Sequence, residues 1–274
     1  MSNVATLPSP TFSDLLRAWR KNRRVSQETL AGSAEISQRH LSFLESGRSS
    51  PSRLMVQRLA DALDIPLRET NSLLNAAGYA NVYTRHQLDD DEMREARQAL
   101  AIMLKHHEPY GAIVVDRNWN LLMMNDANVR LFSQFVDPMA LWDAVGGETP
   151  NMMRATLHEN GLRSYVDNHE DFVRFFINHL ERELTDNPYN NEARELLNEL
   201  LSYPGVADVE RLSPAPSVPF QPLSLSKGDV HLNFFTMVTT FGTPLDVTLQ
   251  EIRIETFFPA DPTTETYMRN LSPD

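Results

Sequence analysis

Residues 12–77 contain five short helix patterns in close succession, and this succession limits the fold more than any other feature of the sequence. In each segment, apolar residues recur at steps of three or four positions, as they do on one face of a helix. Residues that favour helix starts precede the segments, and Gly47 follows the third one where a helix end tolerates positive φ. We therefore expect a compact all-α domain of five helices.

The start signals and apolar positions of these helices can be assigned individually. The start signals are Thr11 or Ser13, Ser26, Ser37, Pro51–Ser52 and Pro66. The apolar positions are Phe12, Leu15, Leu16 and Trp19, then Leu30, Ala31, Ala34 and Ile36, then Leu41 and Leu44, then Leu54, Val56, Leu59, Ala60 and Leu63, and finally Leu73, Leu74 and Ala77.

The second and third helices carry a recognisable motif. Its residues are Ser26–Gln27, Leu30–Ala31, Ile36–Ser37, Leu41, Leu44–Glu45, Gly47 and Pro51–Ser52. They resemble the helix-turn-helix of the Xre/Cro repressor family, and the resemblance implies a lambda-repressor-like fold that binds double-stranded DNA. Glu35 departs from the family pattern, which often has glycine in the turn because positive φ costs other residues about 1–2 kcal/mol.

If Leu41 and Leu44 are buried, the third helix turns its other side to solvent, which is the side that a recognition helix places in the major groove. Gln38 can then pair with adenine and Arg39 with guanine, while Ser42 or Phe43 can contact a thymine methyl group. The predicted DNA-binding residues are Gln27, Ser37, Gln38, Arg39, His40, Ser42, Phe43, Arg48 and Ser49.

Two parts of this DNA interface have alternatives. Phe43 is either a DNA or partner contact or a core residue, because exposed aromatic side chains are unusual in small domains. Gln27, Arg48 and Ser49 are expected to bind phosphate rather than bases. The basic residues of the first helix either do the same or form a solvated surface; they are Arg17, Arg20, Lys21, Arg23 and Arg24.

The charge distribution is compatible with DNA binding only in this region. The net charge of the 274-residue chain is −12, but residues 1–80 hold ten Lys/Arg against seven Asp/Glu, a net charge of +3. Residues 81–274 hold the other fifteen Lys/Arg and thirty Asp/Glu, a net charge of −15. The acidic part should repel a duplex, so binding depends on the N-terminal part and weakens with salt.

The rest of the chain has a mixed pattern. Residues 81–92 form an acidic linker, and residues 93–107 form a helix with Ala96, Leu100, Met103 and Leu104 on one stripe. The segments that follow are a hairpin from residues 112–116 and 121–125, a helix at 126–135, helices between 138 and 203, a loop at 213–219, and strands at 223–226, 230–241 and 246–258.

The last strand alternates in polarity. Glu251, Arg253 and Glu255 alternate with Ile252 and Ile254, and the next residue of the apolar series is Thr256. This pattern predicts an antiparallel sheet with one solvated face and one buried face.

The order of strand, turn, strand, Asn and short helix is similar to the opening of a PAS domain. Further segments extend the likeness: Tyr79–Ala80, His107–Tyr110, Val115–Asn120, Leu157–His158 and residues 240–261. Together they resemble the MmyB-like transcriptional regulators, which combine an Xre-type domain with a PAS-like ligand-binding domain. The resemblance implies an α+β domain with an antiparallel sheet flanked by helices, which senses a small lipophilic ligand such as a fatty acid.

Apolar ligand sites are lined by aromatic and flexible side chains, although each such residue can equally be ordinary core. The predicted ligand-binding residues are Trp119, Met124, Phe132, Trp142, Phe172, Phe176, Phe234, Phe235, Met237 and Phe241. A ligand carboxylate would need a cationic donor, for which Arg154, Arg163 and Arg174 are the candidates.

Several chemistries lack support. The chain has no cysteine, which excludes disulfides, thiolate metal sites and a cysteine nucleophile. No phosphate-binding or serine-hydrolase motif is present, and the histidines have no metal-ligand spacing such as H-E-x-x-H. We expect no metal, no enzyme activity and no membrane contact, and we place the protein in the cytoplasm.

The sequence thus predicts two domains, with DNA-binding residues 1–80, a linker and connecting helix at 81–108, and a ligand-binding domain at 109–274. We expect a homodimer that binds an operator and responds to a lipophilic ligand, with a fatty acid or similar lipid as the bound molecule. Two alternatives stay open: the helical part binds another protein while the C-terminal part is a structural core, or the PAS-like cavity is an enzyme site.

Overall fold

The computed structural model describes residues 10–210 and 222–272, and the predicted loop at 213–219 lies outside them. The backbone divides into two compact units. The first extends to residue 85 and includes the short segments 185–187 and 244–250, and the second comprises the other residues.

Five helices form the N-terminal unit, as predicted. They are α1 (Phe12–Asn22), α2 (Gln27–Ser33), α3 (Gln38–Glu45), α4 (Arg53–Ala62) and α5 (Leu67–Ala76). The side chains of Thr11, Ser26, Ser37 and Ser52 each accept a hydrogen bond from a backbone N–H in the first turn of α1 to α4. Each cap satisfies a donor that has no partner inside the helix.

The core of this unit consists of the predicted apolar faces, with one exception. Leu16, Leu30, Leu41, Leu44 and Leu74 are fully buried. Leu54, which the sequence placed on the buried face of α4, is 59% exposed. It lies in the first turn of the helix, before the row of Val56, Leu59 and Ala60 that contacts the core.

Two residues with positive φ end helices α2 and α3. Glu35 has φ 56° in the turn after α2, and Gly47 has φ 71° after α3. The N–H of Ile36 donates to the carbonyl of Ala31, and the N–H of Arg48 donates to that of Phe43, both at 2.9 Å. These bonds close the two helix ends in the left-handed cap geometry that glycine favours.

In the described ranges the second unit contains two short 3₁₀ helices, seven α-helices and five strands, while one further short helix, Val247–Glu251, lies almost entirely in the segment 244–250 of the first unit. Its N-terminal elements are the 3₁₀ helix Asp91–Met93, α6 (Arg94–His106), β1 (Ala112–Val115), β2 (Leu121–Met124) and α7 (Asp126–Phe135). The middle elements are α8 (Pro138–Val145), α9 (Met152–Leu157), a second 3₁₀ helix Arg163–Tyr165, α10 (His169–Asp186) and α11 (Asn191–Ser202). The last are β3 (Pro222–Lys227), β4 (Val230–Thr239), β5 (Arg253–Pro259) and α13 (Pro262–Leu271), and the helix of the first unit that precedes β5 in sequence is α12 (Val247–Glu251).

The five strands form one antiparallel sheet in the order β2-β1-β5-β4-β3. The last strand in sequence therefore lies in the centre, where Glu255 is opposite Ile113 of β1 and Val238 of β4. Helices α7, α9 and α10 pack with one face of the sheet around the main hydrophobic core. This arrangement confirms the predicted α+β, PAS-like fold with a flanked antiparallel sheet.

Three expectations for this unit are wrong in detail. The predicted strand 246–258 begins at Arg253, because Asp246 accepts hydrogen bonds from the N–H groups of Thr248 and Leu249 and so starts helix α12. Met103 is 41% exposed on α6, where the stripe of Leu100 and Leu104 alone is buried. The polarity of β5 also differs, because Glu255 is buried and Thr256 is half-buried.

Candidate functional site

Helix α3 presents most of the predicted DNA-binding residues to solvent. Gln38, Arg39, His40 and Ser42 are exposed, while Leu41 and Leu44 lie in the core. Ser37 is also exposed, and its hydroxyl accepts a hydrogen bond from the N–H of His40 at 3.1 Å. The cap and the two buried leucines together determine which side of α3 faces outward.

Phe43 is half-buried and lies outside the hydrophobic core of the unit. The guanidinium carbon of Arg39 is 5.4 Å from the centroid of the Phe43 ring. This is the distance of a cation–π contact, which restricts the rotamers of the arginine. The ring of Phe43, one helical turn further along α3, therefore holds the side chain of Arg39, whose base contact stays a prediction.

Gln27, predicted as a phosphate contact, has an internal partner in the structure. Its side-chain amide donates to Glu45 Oε2 at 2.7 Å, inside the unit. Arg48 is exposed and Ser49 is half-buried directly after α3, so both stay near the predicted DNA-binding face.

The basic cluster of α1 is mostly turned toward its own unit. Arg20 donates to both carboxylate oxygens of Glu45, at 2.5 and 2.9 Å, and Arg17 donates to the backbone carbonyl of Glu45. Arg23 donates to the carbonyls of Leu63 and Asp64, both at 3.0 Å. These three arginines thus use part of their donors inside the unit, and a phosphate contact of the cluster stays a prediction. Lys21 and Arg24 are exposed.

The second unit encloses a cavity between the sheet and the helices around it. Its volume is about 40 Å³. The lining residues come from the β1–β2 turn, from α7, α9 and α10, from the segment between α9 and α10, and from β3, β4 and β5. They are Trp119, Phe132, Met152, Thr156, Leu162, Val166, Phe172, Phe176, Leu223, Leu225, Thr236, Glu255 and Phe257.

Four of the ten predicted ligand-binding residues line this cavity: Trp119, Phe132, Phe172 and Phe176. Phe234 lies in the core, and Met124 and Trp142 pack against the core from its edge. Phe235 stacks on Phe258 with ring centroids 5.3 Å apart, Met237 is 55% exposed, and Phe241 is half-buried outside the lining.

The pleat of β4 explains part of this difference. Thr236 lines the cavity, so its neighbours Phe235 and Met237 point to the opposite face of the sheet. The ligand-binding residues were predicted from the aromatic or flexible character of their side chains, which takes no account of this alternation. The residues that sequence reasoning missed are Met152, Thr156, Leu162, Val166, Leu223, Leu225, Thr236, Glu255 and Phe257.

Glu255 is the one titratable side chain in the described lining of the cavity. It is 9% exposed, and its burial raises its pKa to about 7 although a hydrogen bond with Thr236 acts in the opposite direction. The apolar residue Phe257, two positions later on the same strand face, is the sequence signal that could have indicated an inward direction for Glu255.

Trp119 reaches the cavity from a tight turn that polar contacts hold in place. It has φ 63°, and the carboxylate of Asp116 accepts from the N–H groups of Asn118 and Asn120 at 2.8 and 3.0 Å. The indole contacts Phe176 edge-to-face, with ring centroids 5.0 Å apart.

The same turn is tied to the neighbouring elements by Arg117. Its guanidinium pairs with Glu183 of α10 and with Glu251 at the end of α12, the latter at 2.9 Å. His179 of α10 lies against the carbonyl of Arg117 at 3.3 Å, and burial lowers the pKa of this histidine. The ion pair with Glu183 holds the β1–β2 turn against α10.

None of the three arginines considered for a ligand carboxylate lines the cavity. Arg154 pairs with Glu199 at 2.7 Å, and Arg163 donates to the carbonyl of Pro204. Arg174 pairs with Glu170 and Asp171 on its own helix, at 2.9 and 2.8 Å.

The described parts of the chain hold neither a metal-binding cluster nor a membrane-spanning helix. Residues 10–210 and 222–272 contain no group of three or more His, Asp or Glu side chains arranged to hold a metal ion. Among the helices of these ranges, none is both long enough and apolar enough to cross a membrane.

Comparison with protein families finds two matches. A model of the MmyB-like transcription regulator ligand binding domain matches residues 96–271, which is more than half of the chain. A helix-turn-helix model matches residues 16–69. The two matches confirm the predicted combination of an N-terminal helix-turn-helix with an MmyB-like ligand-binding domain.

Comparison with individual proteins adds little. No curated protein matches the sequence. Among solved structures, the chain is similar to one described as "Structure of an RNA-binding Light-Oxygen-Voltage Receptor", with 11% identity, a TM-score of 0.28, and coverage of 94% of this chain and 61% of that one. The chain thus spans about three fifths of that protein's length, and a TM-score this low supports no argument about fold or function.

Proposed function

The chain belongs to the MmyB-like transcription regulator ligand binding domain family, and from this premise we propose that it is a regulator whose binding to a specific operator responds to a small lipophilic molecule. One observation carries the proposal: a single chain exposes the polar side of α3 and also encloses an apolar cavity in its second unit. We assign residues 1–80 to DNA binding, 81–108 to the connection and 109–274 to ligand binding.

The DNA-binding surface in this proposal is the exposed side of α3. Arg39 and Gln38 contact base edges, and Phe43 holds the Arg39 guanidinium in position through their stacking contact. Ser37, His40, Ser42, Arg48 and Ser49 complete the surface next to them. Gln27 contributes through its bond to Glu45, which supports the end of α3, rather than through a phosphate contact of its side chain.

The protein acts as a homodimer in the cytoplasm in this proposal. Two copies of α3 then occupy half-sites about 34 Å apart, one turn of B-DNA, or a multiple of it. The ligand changes DNA affinity by favouring one dimer geometry over another, which requires that it bind the two with different affinity.

The ligand occupies the cavity between the sheet and α10. Ten of its thirteen lining residues are apolar or aromatic, which suits the alkyl chain of a fatty acid or a similar lipid. A volume of about 40 Å³ is close to the space of a single water molecule, so the wall must move when a ligand enters.

The DNA part is tested with Arg39→Ala and Gln38→Ala on an operator selected from random duplexes. We expect each variant to bind the operator about 10-fold or more weakly, because a good base contact provides roughly 1–3 kcal/mol of discrimination. Arg269→Ala is the matched control, since it removes one exposed arginine from α13. Equal losses in Arg39→Ala and Arg269→Ala would contradict base recognition and favour a helical domain that binds another protein.

The ligand part is tested by mass spectrometry of what denatured protein releases. We expect a lipophilic molecule in near-stoichiometric amount, recovered chemically unchanged. A converted product would instead favour an enzyme. Absence of any lipophilic compound, together with no thermal stabilisation by alkyl probes, would contradict ligand binding in the cavity.

A further inference from the structure

The polar groups of the cavity carry information about the ligand that the apolar wall does not. In the described lining they are Thr156, Thr236 and the carboxyl group of Glu255. No lysine, arginine or histidine is among the lining residues. The inference below rests on the proposed function, because it assumes that a lipophilic molecule binds in this cavity.

Glu255 is itself buried, with 9% of its surface exposed. It lies on the central strand β5, flanked by Ile113 of β1 and Val238 of β4. The nearest residue on the same face toward the chain end is Phe257, which also lines the cavity. Thr236 provides a hydrogen bond to its carboxyl group. A carboxyl group can form more hydrogen bonds than this one, so Glu255 has acceptor capacity that faces the cavity.

A fatty-acid carboxylate is poorly suited to these surroundings. It would be buried near a second carboxyl group, and two carboxylates that share a site disfavour each other's ionisation. The three arginines considered for a ligand carboxylate are engaged elsewhere, since Arg154, Arg163 and Arg174 each pair with other groups of their own unit. Arg253, two positions before Glu255 on β5, is half-buried and does not line the cavity. Burial of an unpaired charge is among the most unfavourable changes in a protein interior.

We propose that the cavity selects a lipophilic molecule whose head group donates a hydrogen bond to Glu255, with an alkylamine favoured over an alcohol and an alcohol over a carboxylate. A protonated amine gains most, because hydrogen bonds between charged partners are stronger than those between neutral ones. The hydroxyl groups of Thr156 and Thr236 can accept further hydrogen bonds from the same head group.

The protonation state of Glu255 agrees with this role. Its pKa is raised to about 7 by burial, so at pH 8 the carboxyl group is mostly ionised and acts as an acceptor. An alkylamine, with a pKa similar to that of lysine, is protonated at the same pH. The two partners therefore carry opposite charges at pH 8.

The test compares octylamine, octanol and octanoate by calorimetry at pH 8 with the full chain. The three probes share one alkyl chain, so the cost of widening the cavity is nearly the same for each and cancels in their ratios. We expect octylamine to bind about 10-fold or more tightly than octanoate, with octanol between them. Octanoate that binds as tightly as octylamine, or more tightly, would overturn the head-group inference while leaving a lipophilic site in place.

Two variants connect the preference to the cavity. In Glu255→Gln the ratio between octylamine and octanoate should fall to within about threefold. Glu159→Gln removes one exposed carboxylate elsewhere and should retain the wild-type ratio, which controls for attraction of cations to an acidic protein. An unchanged ratio in Glu255→Gln would overturn the inference, and the wild-type ranking decides the question if that variant does not fold.

Failure of the proposed function gives a different result. If none of the three probes binds the wild-type protein, both the lipophilic site and the head-group preference are contradicted. Binding of octanoate alone contradicts only the preference.

Discussion

Two glutamates, one in each unit, are almost inaccessible to solvent, and their surroundings shift their pKa values in opposite directions. Burial alone would raise the pKa of Glu45, but hydrogen bonds from Arg20 and Gln27 and the charges of Arg20 and Arg17 lower it. Glu255 is buried with a single hydroxyl partner, and its pKa is raised to about 7. In the N-terminal unit Glu45 bonds to neighbouring side chains of the same unit, whereas in the C-terminal unit the side chain of Glu255 lines a cavity.

The difference shows how to separate structural from binding roles for a buried charge. A carboxylate with several donors from its own chain has little acceptor capacity left for a ligand. A carboxyl group that is buried without a cation destabilises the fold, and such groups concentrate at functional sites. The two glutamates should therefore respond in opposite ways to removal of their charge.

The largest effect is expected for Glu45→Ala. This change leaves the guanidinium of Arg20, whose side chain is 14% exposed, without its carboxylate partner. We expect the N-terminal unit to lose about 3–5 kcal/mol of stability, as when one partner of a buried ion pair is removed. Hydrogen exchange of α1 to α3 measures the loss.

Glu28→Ala is the control for this first change, because Glu28 is an exposed residue in the first turn of α2. Its effect should stay below about 1 kcal/mol. A loss of similar size in both variants would remove the distinction that we draw for Glu45.

For Glu255→Gln we expect a gain in stability instead of a loss. The folded protein keeps Glu255 protonated up to about pH 7, while the unfolded chain ionises near its ordinary value of 4.5. Wild-type stability therefore falls between those pH values and levels off above them. At pH 8 we expect the variant to be more stable than the wild type by up to about 3 kcal/mol, relative to their difference at pH 4.

Urea unfolding at pH 4 and pH 8 measures this second effect. Glu159→Gln should show no such pH-dependent difference, because its carboxylate is exposed. A constant difference between Glu255→Gln and the wild type at both pH values would show that the pKa of Glu255 is not raised, and would contradict the contrast with Glu45.

The smallest effect concerns backbone conformation rather than charge. Glu35 has φ 56° in the turn before α3, and its carboxylate is 3.6 Å from the exposed Arg58. Glu35→Gly should stabilise the N-terminal unit by about 1 kcal/mol, because glycine adopts this φ without strain and an exposed ion pair contributes little. Thermal unfolding of the variant and the wild type measures this change in stability.

Glu35→Ala separates the two contributions to that effect, since it removes the ion pair and keeps the strain. We expect it to be neutral or slightly destabilising. Stabilisation of equal size by alanine and glycine would contradict the conformational explanation.

The sequence alone was sufficient for most of the N-terminal unit because its determinants are local. Ser37 caps α3 and Gly47 ends it, and the spacing of Leu41 and Leu44 determines which side of α3 is buried. The exposed side of the helix follows from these neighbours within one or two turns. The sequence did not predict that Gln27 and Arg20 both donate to Glu45. Glu45 is 18 residues from Gln27 and 25 residues from Arg20, and only packing brings it to them.

The sequence alone determined that this chain has a five-helix N-terminal unit followed by an antiparallel sheet flanked by helices, since helix and strand periodicity are properties of adjacent residues. Only the tertiary structure decided which side chains line the cavity, because they come from segments between Trp119 and Phe257 whose register sets their direction. Glu255 shows the reason most clearly. Polar alternation placed it on the solvated face, but α7, α9 and α10 pack against that face of β5 around the cavity and bury it.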